Sequence, residues 1–321
     1  KILENSKKLF KSFPSNFQFN VHNYITSDNL RFFKNKKEKI FDAIYFELRS
    51  RCNSTCAFCA ASIQNEKRPD ITMSFNLFEK IIDQLEEINY KGKIAFHVNN
   101  DPLLVKDIDL YVTYARKKCP KAWIQILTNG RSLNNKIGTK LLDAGINELT
   151  INVYSKDESF KTPKNVENFE NDILLKKFST KNIYNDQIRR NLSSDSINYS
   201  KISRKLVENL TNRAGSAPNK ISNELPIKLG FCSYPFEQFN INANGDVSHC
   251  CADFYFSNKM GNLNDSKVIE IWNGSKFENI RQNLLNNRRD KLPMCINCDH
   301  YGLKSPPKSF SKKILFKLFR T

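Results

Sequence analysis

Three thiols on one short stretch, Cys52, Cys56 and Cys59 in "CNSTCAFC", keep C-x3-C-x2-C spacing directly after the apolar run Ala43–Leu48. A structural zinc site closes with four ligands, and a closed iron–sulfur cluster uses four cysteines. Three thiolates hold three corners of a cubane 4Fe–4S cluster and leave the fourth iron open to an exogenous ligand. A zinc or disulfide set with coincidental spacing is the competing reading. Further along, Cys232, Cys250, Cys295 and Cys298 supply four thiols, and Cys251 adjoins one of them. Four thiolates close a cluster and suit electron transfer or structure, although they suit tetrahedral zinc as well. Cys251 is then a spare thiol, either reactive or a small side chain packing beneath the metal site. Cys119, before Pro120, reads as a bystander.

The elements that must position these thiols alternate along the chain. Ala43–Leu48 is short and apolar, as a buried strand is. The next segment puts Phe75, Phe78, Ile81, Ile82, Leu85 and Ile88 on one helical face behind Ser74, a suitable N-cap. Lys93–Val98 is a second strand and Ile108–Lys118 a helix. Trp123–Leu127 is a third strand, followed by a helix over Lys136–Ala144 that Gly145 ends. Glu148–Tyr154 is a fourth strand. Alternation at this pitch predicts a parallel sheet with helical crossovers, an α/β fold whose sites gather at the C-terminal ends of the strands. From Ser155 to about Lys220 the pattern fails, leaving weak helical stretches such as "ISRKLVENL" (Ile202–Leu210). "FEQFNINANGDVSHCC" reads as a hairpin turning at Asn244-Gly245, Val268–Asn287 as one helix, and Leu292–Asp299 as a cysteine knuckle. Four segments follow: a basic extension (1–38), the alternating body (39–224), a small module (225–303) and a basic amphipathic tail (304–321).

With Phe58 before its last cysteine, the 52–59 motif resembles the signature of the radical S-adenosylmethionine (SAM) superfamily. The resemblance implies a partial (β/α) barrel, with the amino and carboxylate groups of SAM on the open iron. It also implies reductive cleavage to a 5′-deoxyadenosyl radical that abstracts a substrate hydrogen. After the second strand the family carries a Gly-Gly-Glu-Pro type segment that meets the SAM amino group. Here stands "NNDPL", with Asn99, Asp101 and Pro102 but neither glycine. Thr128, in "TNG", and Asn152 and Ser155, in "INVYS", fall where the family lines the adenosine pocket. Arg213, in "NRAG", falls where a late-barrel residue reaches the SAM carboxylate. Gly245 five residues before Cys250, "GNLNDSKVIEIWN" and the closing C-x2-C resemble the SPASM/twitch auxiliary-cluster domains, in the shorter form with one further 4Fe–4S cluster. That likeness implies an oxidoreductase acting on a small hydroxylated substrate, a sugar or aminocyclitol or a glycan. As a dehydrogenase it passes an electron to the auxiliary cluster; as an epimerase it returns hydrogen from a thiol such as Cys251. Peptide modification is the alternative within enzymes, and the low-potential donor would be a flavodoxin or ferredoxin.

The totals bound this reading. The chain has 321 residues, 24 of them Phe, and a net charge of +18. No helix-turn-helix, RNP or zinc-finger pattern accompanies the charge, so nucleic acid is not an expected partner. A basic protein with two structural metal sites binding nucleic acid is the reading from another class, and it predicts steep salt dependence without SAM cleavage. An odd count of nine cysteines argues against a secreted disulfide framework. No apolar run reaches the ~20 residues a bilayer needs, and the first residues do not read as a signal peptide, so a cytoplasmic protein is expected. The tail places Phe310, Ile314 and Leu318 on one face and can touch an anionic membrane surface or pack on the body.

Overall fold

In the computed structural model the described residues are 12–35, 40–63, 65–155, 162–174, 176, 183–184, 187–188, 198–205, 212–218, 230–300, 302 and 309–319. They begin with α1 (Ser15–Asn35), for which the sequence offered no reading. Then come β1 (Ala43–Phe46), α2 (Phe75–Glu87), β2 (Lys93–Phe96), α3 (Ile108–Lys118), β3 (Trp123–Thr128), α4 (Asn135–Asp143), β4 (Glu148–Ser155) and α5 (Lys164–Phe169). A two-residue pair, β5 (Ile183–Tyr184) with β6 (Gln187–Ile188), precedes β7 (Asn198–Lys205). The small module holds α6 (Tyr234–Glu237), β8 (Gln238–Ile241), β9 (Asp246–Ser248), β10 (Lys259–Asn262), α7 (Val268–Trp272) and α8 (Ser275–Leu285), and α9 (Phe310–Phe319) closes the chain.

One eight-stranded sheet runs β10-β9-β8-β1-β2-β3-β4-β7. The six strands from β8 to β7 are parallel, and β9 and β10 add antiparallel. This is the expected α/β partial barrel, an open parallel sheet with helical crossovers. β8 lies beside β1 with Tyr45 opposite Asn240, so the hairpin of the small module extends the barrel sheet directly.

Strand alternation divides the sheet into two faces. Ile44, Phe46, Ile94, Phe96, Ile124, Ile126, Leu149, Ile151 and Val153 join α2, α3 and α4 in the main core. The alternate positions, Tyr45, His97, Gln125, Thr150, Asn152 and Tyr154, turn to the inner face. Near the N-terminal strand ends that face carries a polar ladder. Lys93 Nζ donates to Gln125 Oε1 (3.2 Å), Gln125 Nε2 to Glu148 Oε1 (2.6 Å), and Thr150 meets Ser200 (3.0 Å). The apolar layer supplies stability, while the inner layer is left for polar chemistry.

Local signals were obeyed where they were strong. Ser74 Oγ accepts from Leu77 N–H at 3.2 Å, a cap that contributes about 1 kcal/mol. The hairpin turns over residues 242–245, with Asn242 Oδ1 accepting the N–H groups of Asn244 and Asp246 and Gly245 at φ +84°. Two expectations are corrected. The stretch Val268–Asn287 is two helices, broken at Asn273-Gly274, and both bury into the main core, where Trp272 meets Phe277 with ring centroids 4.9 Å apart. The weak helical reading from Ile202 fails over residues 202–205, because β7 pairs with β4 along eight residues and strand pairing outweighs propensity; residues 206–210 lie outside the described ones. α1 buries Ile25 and Phe33, and Phe33 packs against Phe231 and Phe236 of the small module.

Candidate active site

The loop after β1 folds back on itself through Cys59 N–H to Cys56 O (3.1 Å) and Ile63 N–H to Ser54 O (2.9 Å). Phe58 is buried against the Tyr154 ring of β4 at 5.7 Å between centroids, which anchors the loop on the barrel. Asn129, after β3, donates to Asn53 Oδ1 at 2.8 Å and towards Cys52 Sγ at 3.5 Å. Burial, with the Asp101 charge next, pushes the Cys52 thiol up to about 12, and burial also raises Cys56. These thiols therefore release protons when they bind metal.

Cys52, Cys56 and Cys59 line one cavity of about 440 Å³ together with Cys232, Cys250, Cys251 and Cys298. Phe58, Asn99, Asp101, Thr128, Asn152 and Arg213 line it as well. Cys295 does not; it packs beside the main core. The side chain of Ser155 lies outside the described residues. All nine cysteines are free. Cys119 is buried where α3 ends, away from the cavity.

The residues drawn from "NNDPL" divide in role. Both Asp101 oxygens accept from the Thr128 hydroxyl (3.0 and 2.8 Å), and the carboxylate also takes the N–H groups of Asn129 (2.8 Å) and Leu103 (3.0 Å). Asp101 and Thr128 thus clasp the ends of β2 and β3 together. Asn99 is 2 % exposed; its Oδ1 accepts from Arg213 Nη2 at 3.2 Å, while its Nδ2 has no partner among the described residues. Arg213 spans the two cysteine sets, with Nη1 3.8 Å from Cys59 Sγ and Nη2 donating to Cys251 O at 3.3 Å.

Three supports escaped the sequence reading. Arg289, 1 % exposed, donates to His300 O (2.8 Å) and Phe231 O (3.0 Å), bracing the segments that carry Cys298 and Cys232. Its charge opposes the burial that raises Cys295 to about 12 and Cys298 to about 11. Asn212 N–H donates to Asp299 Oδ1 (2.8 Å) and its Nδ2 to Asn297 O (2.6 Å), tying the Arg213 turn to the cysteine knuckle. Phe254 packs on Ala60 and Ala61 beside Cys52 and Cys59, so the small module touches the first cysteine loop. Each was an ordinary Arg, Asn or Phe in sequence, with no spacing signal to single it out.

Residues 47–192 match the profile of the radical SAM superfamily, and residues 232–299 match SPASM, an iron–sulfur cluster-binding domain. The chain carries a radical SAM domain followed by a SPASM domain. Among known proteins, this radical SAM chain is similar to the S-adenosyl-L-methionine-dependent 2-deoxy-scyllo-inosamine dehydrogenase of Niallia circulans. The two are 27% identical over 269 residues, 84% of this chain and 96% of that one. GTP 3′,8-cyclase of Nautilia profundicola is 29% identical over 122 residues, 37% of each chain. In fold, the chain resembles the crystal structure of BtrN in complex with AdoMet and 2-DOIA. The TM-score is 0.66 at 24% identity, covering 85% of this chain and 98% of that one. Native anSMEcpe with bound AdoMet and Kp18Cys peptide follows, with TM-score 0.52 at 12% identity over 86% and 95% of the chains.

A radical SAM domain with a SPASM domain takes SAM and iron–sulfur clusters, and the cavity of this enzyme fits them. Soft thiol donors from four stretches of chain line one space. Among the described residues no three His, Cys, Asp or Glu side chains close on a point where a single metal ion would sit. The orphaned Asn99 Nδ2 and the Arg213 guanidinium beside it form a donor pair suited to a carboxylate.

Proposed function

We propose that this enzyme cleaves SAM and oxidises or epimerises a hydroxylated carbon of a small ring substrate, a sugar or an aminocyclitol. One observation carries the reading: a single cavity is walled by both cysteine sets. Similarity along 84% of the chain to a dehydrogenase named for an aminocyclitol supports the substrate class.

We assign Cys52, Cys56 and Cys59 as the ligands of the SAM-binding 4Fe–4S cluster, and Cys232, Cys250, Cys295 and Cys298 as those of an auxiliary one. Bound SAM, once reduced by its cluster, supplies a 5′-deoxyadenosyl radical that takes a hydrogen atom from substrate carbon. Asn99 and Arg213 hold the SAM carboxylate, Thr128 and Asp101 fix the strand ends beneath it, and Asn152 faces the adenosine, a role also assigned from sequence to Ser155, whose side chain lies outside the described residues. Phe58 keeps the cluster loop seated on Tyr154. Cys251 decides between two outcomes. As a bystander it leaves a dehydrogenase; as a hydrogen donor it makes an epimerase. Residues 39–224 then bind SAM and 225–303 the auxiliary cluster. A low-potential flavodoxin or ferredoxin supplies electrons, and the cytoplasm keeps nine thiols reduced.

The tail joins this reading as a peripheral membrane contact. Among the described residues no helix is long and apolar enough to cross a membrane. α9 packs its polar side on α1, where Lys312 meets Ser27 Oγ (2.7 Å) and Asp28 (2.8 Å), so Phe310 (79 % exposed) and Ile314 point outward. The Leu318 side chain lies outside the described residues.

The test is anaerobic reconstitution with iron and sulfide, reduction and addition of SAM. Wild type should form 5′-deoxyadenosine and hold about eight irons, and a Cys52/Cys56/Cys59→Ala variant should form none and hold about four. Tightly held zinc without cleavage would sink the proposal. With 2-deoxy-scyllo-inosamine in D2O, deuterium on product carbon that disappears in Cys251→Ala identifies an epimerase. Ketone without deuterium incorporation identifies a dehydrogenase.

A further inference from the structure

We propose that His97 contacts the substrate hydroxyl and accepts its proton when the carbon bearing it is oxidised, an assignment that rests on the dehydrogenase form of the reading above. His97 follows β2 directly on the inner face of the barrel, and it lines the cavity that both cysteine sets wall. The ring stands edge-on to Tyr45 of β1, with centroids 5.3 Å apart. Its Nδ1 is buried and has no hydrogen-bond partner among the described residues. An unpaired buried nitrogen costs about 1–3 kcal/mol, so packing alone does not favour a histidine there. Burial, with the Lys93 charge beneath it and Glu148 opposing, holds the ring down at about 4, so it is neutral near pH 7 and carries a free lone pair.

Two other groups of the wall that could take a proton are committed. His300 uses both ring nitrogens, Nε2 with Tyr234 Oη (3.0 Å) and Nδ1 with Gly302 N–H (3.0 Å). The Asp101 carboxylate is held by Thr128, Asn129 and Leu103. Arg213 donates and does not accept protons. Of the two imidazoles of this wall, His97 is the one with a ring nitrogen unpaired among the described residues.

The chemistry balances. Converting a secondary alcohol to a ketone removes a hydrogen atom from carbon, a proton from oxygen and one further electron. The hydrogen atom goes to the adenosyl fragment of SAM, and the O–H bond breaks with its proton passing to His97. The electron goes to an iron–sulfur cluster, the oxidant by class. A neutral base in hydrogen-bond reach of that hydroxyl favours the deprotonated form, from which the electron leaves more readily.

The experiment compares wild-type holoenzyme with His97→Phe and His97→Gln, using 2-deoxy-scyllo-inosamine deuterated at the carbinol carbon. Equilibrium dialysis in the presence of SAM measures probe binding. Product analysis measures deuterium in 5′-deoxyadenosine and the ratio of ketone to 5′-deoxyadenosine, and iron content checks that both variants are intact. His97→Phe should bind the probe about tenfold more weakly, the equivalent of one hydrogen bond. His97→Gln should retain binding and transfer deuterium, yet yield about a hundredfold less ketone per 5′-deoxyadenosine. Wild-type binding and ketone ratios in both variants would overturn the assignment and leave the proposed function standing. A wild-type enzyme that cleaves SAM but neither binds nor oxidises this probe, or related cyclitols and sugars, would overturn both.

Discussion

At the scale of single residues, chemistry here depends on which polar groups are already spent. Asp101 was read as an acceptor for SAM, but the structure commits its oxygens to Thr128, Asn129 and Leu103. Burial raises this carboxyl and those bonds oppose the rise, which makes the clasp the source of its charge tolerance. Thr128→Val removes the hydroxyl donor without changing shape. We expect a loss of about 1.5–3 kcal/mol in anaerobic denaturation, with Thr128→Ser close to wild type. Equal stability in all three proteins would remove the clasp. The thiols were legible at this scale because few residue types bind soft metals and their spacing is unusual. Asn99 Nδ2 was not, since whether an amide is satisfied depends on neighbours far along the chain.

At the scale of elements, the alternation of strand and helix was visible because apolar period two and period 3.6 are different patterns. What periodicity hid was the polar inner face. Glu148 at the start of β4 receives Trp123 Nε1 (2.8 Å), Gln125 Nε2 (2.6 Å), Thr150 Oγ1 (3.2 Å) and Lys93 (3.5 Å), joining β2, β3 and β4. Burial raises its carboxyl, and these four groups outweigh burial and hold it below the usual range. A depressed carboxyl contributes stability above its unfolded value of about 4.5 and loses that contribution as pH falls through the folded value. Glu148→Gln should therefore be about 1–2 kcal/mol less stable than wild type at pH 7. The difference should shrink as both are acidified below pH 4.5. A gap that stays constant with pH would show the ladder to be insensitive to charge.

At the scale of the whole molecule, one buried ionic network ties the two cysteine sets together. Arg68 Nη1 reaches both oxygens of Glu47 (3.0 and 3.1 Å), Nη2 and Nε take Glu66 (2.9 and 3.1 Å), and Nη2 also donates to Asn99 O at 3.3 Å. Its guanidinium lies 4.2 Å from the ring centre of Phe254, which in turn packs on the first cysteine loop. Glu47 is fully buried and burial raises its carboxyl to about 8 even beside Arg68, so Arg68→Met should leave it protonated and unpaired at a cost of about 1–3 kcal/mol. Adding Glu47→Gln should recover part of the loss, and iron content at both sites should follow stability across the cycle. Strictly additive losses would mean the two residues act independently.

The sequence by itself determined the candidate metal-binding thiols, the resemblance to radical SAM proteins and the parallel α/β plan. These follow from thiol spacing and local periodicity, which are properties of short stretches. Tertiary structure decided that β8 extends the barrel beside β1, that both cysteine sets open on one cavity, and that His97 rather than His300 keeps a free nitrogen. Those facts rest on pairings such as Tyr45 with Asn240 and Asn212 with Asp299, nearly two hundred and almost ninety residues apart. Long-range pairings leave no periodic trace, because each is fixed by the packing of the whole sheet and not by the residues that flank it.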